Sequence, residues 1–158
     1  MDKKDIKRDL NNGKTSDRKS ENQKSEAIKV CKLCHAVYVD GRWTWATIPN
    51  AADEVICPAC QRFEENQPAG IMDIKGNLFK EHKAEVLKLI TETEKAENKV
   101  HPMERIMSIS DKHNHTIVTT TGVNLVREIA ESLRKSFDGR LEFNYQEAND
   151  SLNVIWKT

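Results

Sequence analysis

Long apolar runs are missing from this chain: none approaches the roughly 20 residues that span a bilayer. The opening stretch, MDKKDIKRDLNNGKTSDRKS, has basic residues but no apolar segment behind them, so it does not read as a secretory signal. A reducing cytoplasm is the expected setting, and a stable structural disulfide is not expected there. An excess of charge is also missing, since 25 basic side chains balance 25 acidic ones. A strongly basic protein would point to a polyanion; this overall balance does not. No G-x-x-x-x-G-K-[ST], H-E-x-x-H or nucleophile elbow is present, so nothing demands an enzyme.

The charge that is present is unevenly placed. Residues 1–30 carry nine Lys/Arg against six Asp/Glu, whereas residues 31–70 carry three against five. The basic excess thus belongs to the leader. Residues 1–28 have almost no large apolar side chain and cannot offset their ordering entropy, so a disordered polar tail is expected.

All four cysteines fall in residues 29–66. Cys31-x2-Cys34 and Cys57-x2-Cys60 have the spacing of a four-cysteine zinc site. Each C-x-x-C turn brings two sulfurs to one point, and two turns supply four soft anionic ligands in a tetrahedron. Such a closed shell leaves no open position, so Zn2+ there is structural. A single-iron site uses the same ligands. Redox C-x-x-C chemistry sits in a βαβ context, which residues 31–60 do not resemble. Between the pairs, AVYVDGRWTWA reads as a hairpin turning at Asp40-Gly41. Val39 then faces Arg42, and Tyr38, Trp43 and Trp45 share one face. TIPNAADEVI reads as a loop, and CQRFEENQ as a short helical turn.

Residues 67–77 read as a connector, with at most a short strand at 71–74. Residues 78–158 read as a small two-layer α+β domain in the order α-β-β-α-β-β. Its first helix places Phe79, His82, Val86, Ile90 and Thr93 on one stripe, and His101-Pro102 ends it. Its second buries Leu125, Val126, Ile129, Ala130, Leu133 and Phe137, with Thr121 as N-cap and Gly139 beyond the C-terminus. The predicted fold class is therefore α+β, a four-cysteine zinc ribbon followed by a small α/β domain.

Arg42, Trp43, Trp45 and Arg62 of the ribbon are candidate contacts to RNA, through stacking and phosphate pairing. Arg127, Arg134 and Arg140 are the candidates from the second domain. The competing reading makes the aromatics the ribbon's core, or the means by which it docks on its neighbour. His82 reads as a packed histidine. His113 and His115 form an H-x-H pair in a turn. Residues 119–122, TTTG, read as the start of a helix, with anion binding as the alternative.

CKLCHAVYVDGRWTW, CPACQRFEENQPAGIMDIKGNLFKEH, HPMERIM and TTTGVNLVREIAESL together resemble a family of small, poorly characterised bacterial zinc-ribbon proteins. The likeness spans residues 31–157 and is carried by the cysteines with Trp43, Pro58, Pro68, Gly70, Gly76, His82, Glu97, Pro102, Arg105 and Ile106. More remotely, the layout is similar to the N-terminal region of the archaeal and eukaryotic adaptor that escorts large ribosomal subunits during export. That adaptor has more zinc-binding cysteines than the four here. The resemblance implies a non-enzymatic bacterial protein that docks onto RNA or a ribonucleoprotein such as the ribosome. A zinc-stabilised protein–protein adaptor is the alternative, and the neutral charge suits it.

Overall fold

The computed structural model describes residues 27–158, so the expected tail lies almost wholly outside the described residues. Those residues form a mixed α+β structure with two sheets and four α-helices.

The first sheet comprises β1 (Lys29–Cys31), β2 (Val37–Val39), β3 (Arg42–Thr44) and β4 (Asp53–Val55), in the order β3-β2-β1-β4. Asp40 and Gly41 have φ of 54° and 81°, the left-handed pair that a two-residue type I′ turn requires. The turn sets the pairs Val39–Arg42 and Tyr38–Trp43, and the two rings lie 5.4 Å apart. The stretch read as a loop after the hairpin contains β4, which runs parallel to β1. That pairing has a consequence for chemistry. β1 runs directly into Cys31, and β4 ends two residues before Cys57, so parallel strands deliver both cysteine turns to one end of the sheet. The expected helical turn is α1 (Pro58–Glu65), closed by Asn66 at φ 53°.

The second sheet comprises β5 (Gly70–Lys75), β6 (Ile106–Asp111), β7 (His115–Thr120), β8 (Arg140–Gln146) and β9 (Ser151–Lys157). Its order is β6-β7-β5-β9-β8, so β5 is the central strand, antiparallel to β7 and parallel to β9. The short strand expected at 71–74 is thus present and longer, and it belongs to the sheet and not to a connector. The order α-β-β-α-β-β omits the strand on which the sheet is centred. Gly70, Met72 and Ile74 are buried in strict alternation, a six-residue signal that Pro68 and Gly76 hide in sequence.

The single long helix expected after β5 is two: α2 (Asn77–Glu81) and α3 (Lys83–Val100), broken at His82. His82 is part-exposed, with Nδ1 3.4 Å from Glu85 Oε1 and its ring 6.0 Å from that of Phe137. The last helix, α4 (Val123–Ser136), buries Leu125, Val126, Ile129, Ala130 and Leu133. These meet Met72, Val118, Leu152, Val154 and Trp156 of the sheet, with Val86 and Ile90 of α3 closing the same core.

Two helix-end expectations are also corrected. Gly122, not Thr121, precedes α4, because the Thr121 hydroxyl is used elsewhere: it donates to Met103 O and accepts from Arg105 N. Gly139 is not left-handed; its lack of Cβ instead admits the Trp156 indole. Among the described residues, no helix is long and apolar enough to cross a membrane.

Candidate metal centre and adjoining clefts

The two cysteine turns are built differently. In the first, His35 N donates to Cys31 O, and His35 takes a φ of 68° to close the loop back into β2. In the second, Cys57 is the N-cap of α1. Its sulfur accepts from Cys60 N at 3.3 Å, and Pro58 occupies a position where a missing N–H costs nothing. Cys57 N donates in turn to Cys31 Sγ at 3.3 Å, which joins the turns.

The four sulfurs of Cys31, Cys34, Cys57 and Cys60 all lie within 4.8 Å of one another, and none is in a disulfide. Ligands about 2.3 Å from a tetrahedral ion stand about 3.8 Å apart; the Cys34 and Cys57 sulfurs are 3.7 Å apart. The donor set fits a metal electrostatically as well. Burial raises the Cys31 thiol, but the N–H groups of Cys34, Cys57 and Leu33 outweigh it and bring it down to about 6. Burial pushes Cys57 up to about 12, and it raises Cys60 too. Four crowded thiols cannot all ionise without a cation among them. The four cysteines are placed so that they could hold a metal ion.

One cation already reaches these sulfurs from outside the ribbon. Arg105, just before β6, donates from Nη2 to Cys34 Sγ at 3.0 Å and from Nη1 to Cys60 Sγ at 3.3 Å. Its Nε donates to Pro102 O at 2.8 Å, which fixes the fork. Burial opposes its charge, but the Cys34 and Cys60 sulfurs outweigh that and hold its pKa above the ordinary value. Trp45 lies 5.9 Å from the same guanidinium, and its Nε1 donates to Asn98 O of α3 at 2.6 Å. Arg105 and Trp45 thus fasten the ribbon to the sheet domain. The sequence reading places Arg105 only among the residues of the resemblance, with no role. A cation 45 residues beyond the last cysteine offers no local signal for one.

The predicted contact residues divide into three groups. Arg62 and Arg127 come together: both line a cleft of about 430 Å3 that includes Thr121, Asn124 and Tyr145. Arg42 and Trp43 line a second cleft, of about 250 Å3, with His101, Glu104 and, again, Asn124. The two clefts therefore flank the start of α4 between ribbon and sheet domain. Trp45 is committed to the junction. Arg134 is paired with Glu131 at 2.7 Å on the outer face of α4. Arg140 begins β8 opposite Lys157, at the far end of that strand from Tyr145.

Glu104 was not foreseen. Its carboxylate is buried against Gly122, where any Cβ would collide with it. Burial raises its pKa, opposed by the backbone N–H groups of Leu125 and Asn124 at the first turn of α4. Elsewhere, His115 Nδ1 and Asp73 Oδ1 are hydrogen-bonded at 2.7 Å on the open face of the sheet.

No protein-family model, curated protein or solved structure matches this chain.

Proposed function

We propose that Cys31, Cys34, Cys57 and Cys60 hold a structural Zn2+, and that the protein docks through the α4 clefts onto RNA or a ribonucleoprotein such as the ribosome. Zinc suits four clustered thiolates, three buried and Cys34 half-buried, with no open position. The observation that supports docking is convergence. Of the seven candidate contacts, Arg42, Trp43, Arg62 and Arg127 line two clefts that share Asn124. Guanidinium groups, an aromatic and the N-terminus of a 14-residue helix suit a phosphate backbone with unstacked bases. No step of chemistry is assigned to the site.

A protein–protein adaptor is the second reading. Phe143 and Tyr145 of the edge strand β8, each 48% exposed, favour it. Pull-down from lysate with and without ribonuclease separates the two. Loss of captured ribosomes or RNA after ribonuclease is expected, together with affinity for single-stranded RNA that falls steeply with salt. Arg62→Glu with Arg127→Glu should weaken that affinity at least tenfold. Capture unaffected by ribonuclease and insensitive to salt would favour the adaptor.

A further inference from the structure

We propose that two copies of this chain pair through their β8 strands, antiparallel about Phe143, so that two five-stranded sheets join into one. This inference stands apart from the RNA-docking reading, and neither depends on the other.

The two edges of the sheet are built differently. β6, at one edge, slips register against β7 between Ile106 and Ser108, and its last residue, Asp111, is tied to Lys83 of α3 at 2.8 Å. Irregularity of that kind blunts an edge. β8, at the other edge, pairs with β9 alone among the described residues, in unbroken register from Arg140–Lys157 to Gln146–Ser151. It has no proline and no lysine. A regular seven-residue edge presents a row of backbone N–H and C=O groups to a further strand. Leu141, Phe143 and Tyr145 stand beside Trp156, Val154 and Leu152, so they belong to the helix-bearing face. The helices do not cover them fully, since both aromatics remain half-exposed.

The strand is complementary to itself, which points to a second copy as its occupant. Phe143 is its middle residue. An antiparallel copy with the two-fold axis there pairs the whole strand: Phe143 meets its equivalent, Leu141 meets Tyr145, Glu142 meets Asn144 and Arg140 meets Gln146. Apolar then faces apolar on the helix side, polar faces polar on the other, and no like charges stand directly opposite. With the axis at Glu142, two carboxylates would meet. With the axis at Asn144, Arg140 and Leu141 would run past the end of the strand. The formal net charge of zero sets up no long-range repulsion between copies. One edge with two aromatics is small against the roughly 800 Å2 per partner of a standard interface, so the dimer should dissociate in about the micromolar range.

The test is sedimentation velocity on the full chain, metal-loaded, from about 1 to 200 µM. The mass should move from one chain toward two. Over the same range, hydrogen exchange should slow severalfold at the amides of β8 and stay constant at those of β6. Phe143→Lys, which sets two cations at the axis, should weaken dimerisation about tenfold or more, with fold and metal content checked by circular dichroism and elemental analysis. Asn144 is exposed on the face away from the helices, so substitutions there leave the core alone. Asn144→Lys, opposite Glu142 of the second copy, should tighten the dimer, and Asn144→Glu should loosen it, each by about threefold. The exchange comparison needs no variant, so a misfolded substitution does not block the test. A monomer at every concentration overturns the proposal, whether β8 exchanges freely or is already protected by residues 1–26 of its own chain. A dimer with unchanged exchange at β8, or one that responds alike to both Asn144 variants, overturns it as well. Protection of β8 that appears only on adding single-stranded oligouridine would give the strand to RNA and also overturn it. RNA binding by a lasting monomer would leave docking intact while this inference fails.

Discussion

Fourteen buried side chains, from Met72 to Trp156, make one continuous apolar core in the sheet domain; the ribbon's buried cluster is Cys31, Cys57, Ala59 and Cys60. Three of those four are cysteines of the cluster that could hold a metal ion. The ribbon's strands are three residues long, whereas those of the sheet domain are six or seven. One region is held by area removed from water, the other by four sulfurs and whatever ion they share. Two regions of one chain can thus obey different stability rules, and conditions that unfold one need not touch the other.

Removing the metal is the largest intervention that can break this comparison. Structural zinc contributes about 10–16 kcal/mol in small modules. Chelation of the reduced protein should therefore unfold residues 29–65 and spare the sheet. Hydrogen exchange read by mass spectrometry should show the amides of β1 to β4 exchanging freely, while those of β5, β7 and β9 keep their protection. Loss of protection in both regions together would mean that the sheet domain depends on the ribbon. Loss in neither would mean that the sulfurs hold no structural metal.

The opposite intervention is smaller. Leu133 is fully buried between α4 and the sheet. Leu133→Ala should cost the sheet domain about 2–5 kcal/mol. Metal stoichiometry should stay unchanged, and the exchange pattern should invert relative to chelation. Release of metal by this substitution would show that the two regions fold as one unit.

The sequence foretold the ribbon better than the sheet, and the reason is physical. Cysteine pairs and an Asp-Gly turn announce themselves within a few residues, because coordination and left-handed φ admit few residue types. The amphipathic stripe of α4 was equally legible at its 3.6-residue period. β5 was legible only as a short strand at 71–74, because six residues between Pro68 and Gly76 look like a linker until partners appear on both sides. β4 was not, because Asp53 and Glu54 are poor strand formers that only the pairing with β1 makes extended. The clefts were half legible. Arginines and a tryptophan could be proposed singly, but their grouping depends on how ribbon and α4 meet. Thr121 was misread for the same reason, since its hydroxyl bonds residues about sixteen positions earlier.

Arg105 sharpens the comparison most finely, since it is the one side chain of the sheet domain bonded to the sulfurs of the ribbon. Arg105→Leu removes the charge-assisted N–H···S bonds to Cys34 and Cys60, a longer one to Cys57 and the bond to Pro102 O, and should cost about 2–3 kcal/mol at the junction. The metal should remain, because all four ligands are untouched. Exchange should rise at Trp45 and at residues 98–105, while the centre of the sheet stays protected. Arg105→Lys keeps the charge but not the fork, so it should fall between wild type and Arg105→Leu. A double-mutant cycle with Trp45→Phe, which removes the bond to Asn98 and sets a weaker ring beside the guanidinium, should show coupling between the two fasteners. If Arg105→Leu instead weakens metal affinity and leaves the junction tight, the guanidinium serves chiefly to balance thiolate charge. The ribbon would then be joined to the sheet domain by Trp45 and the chain alone.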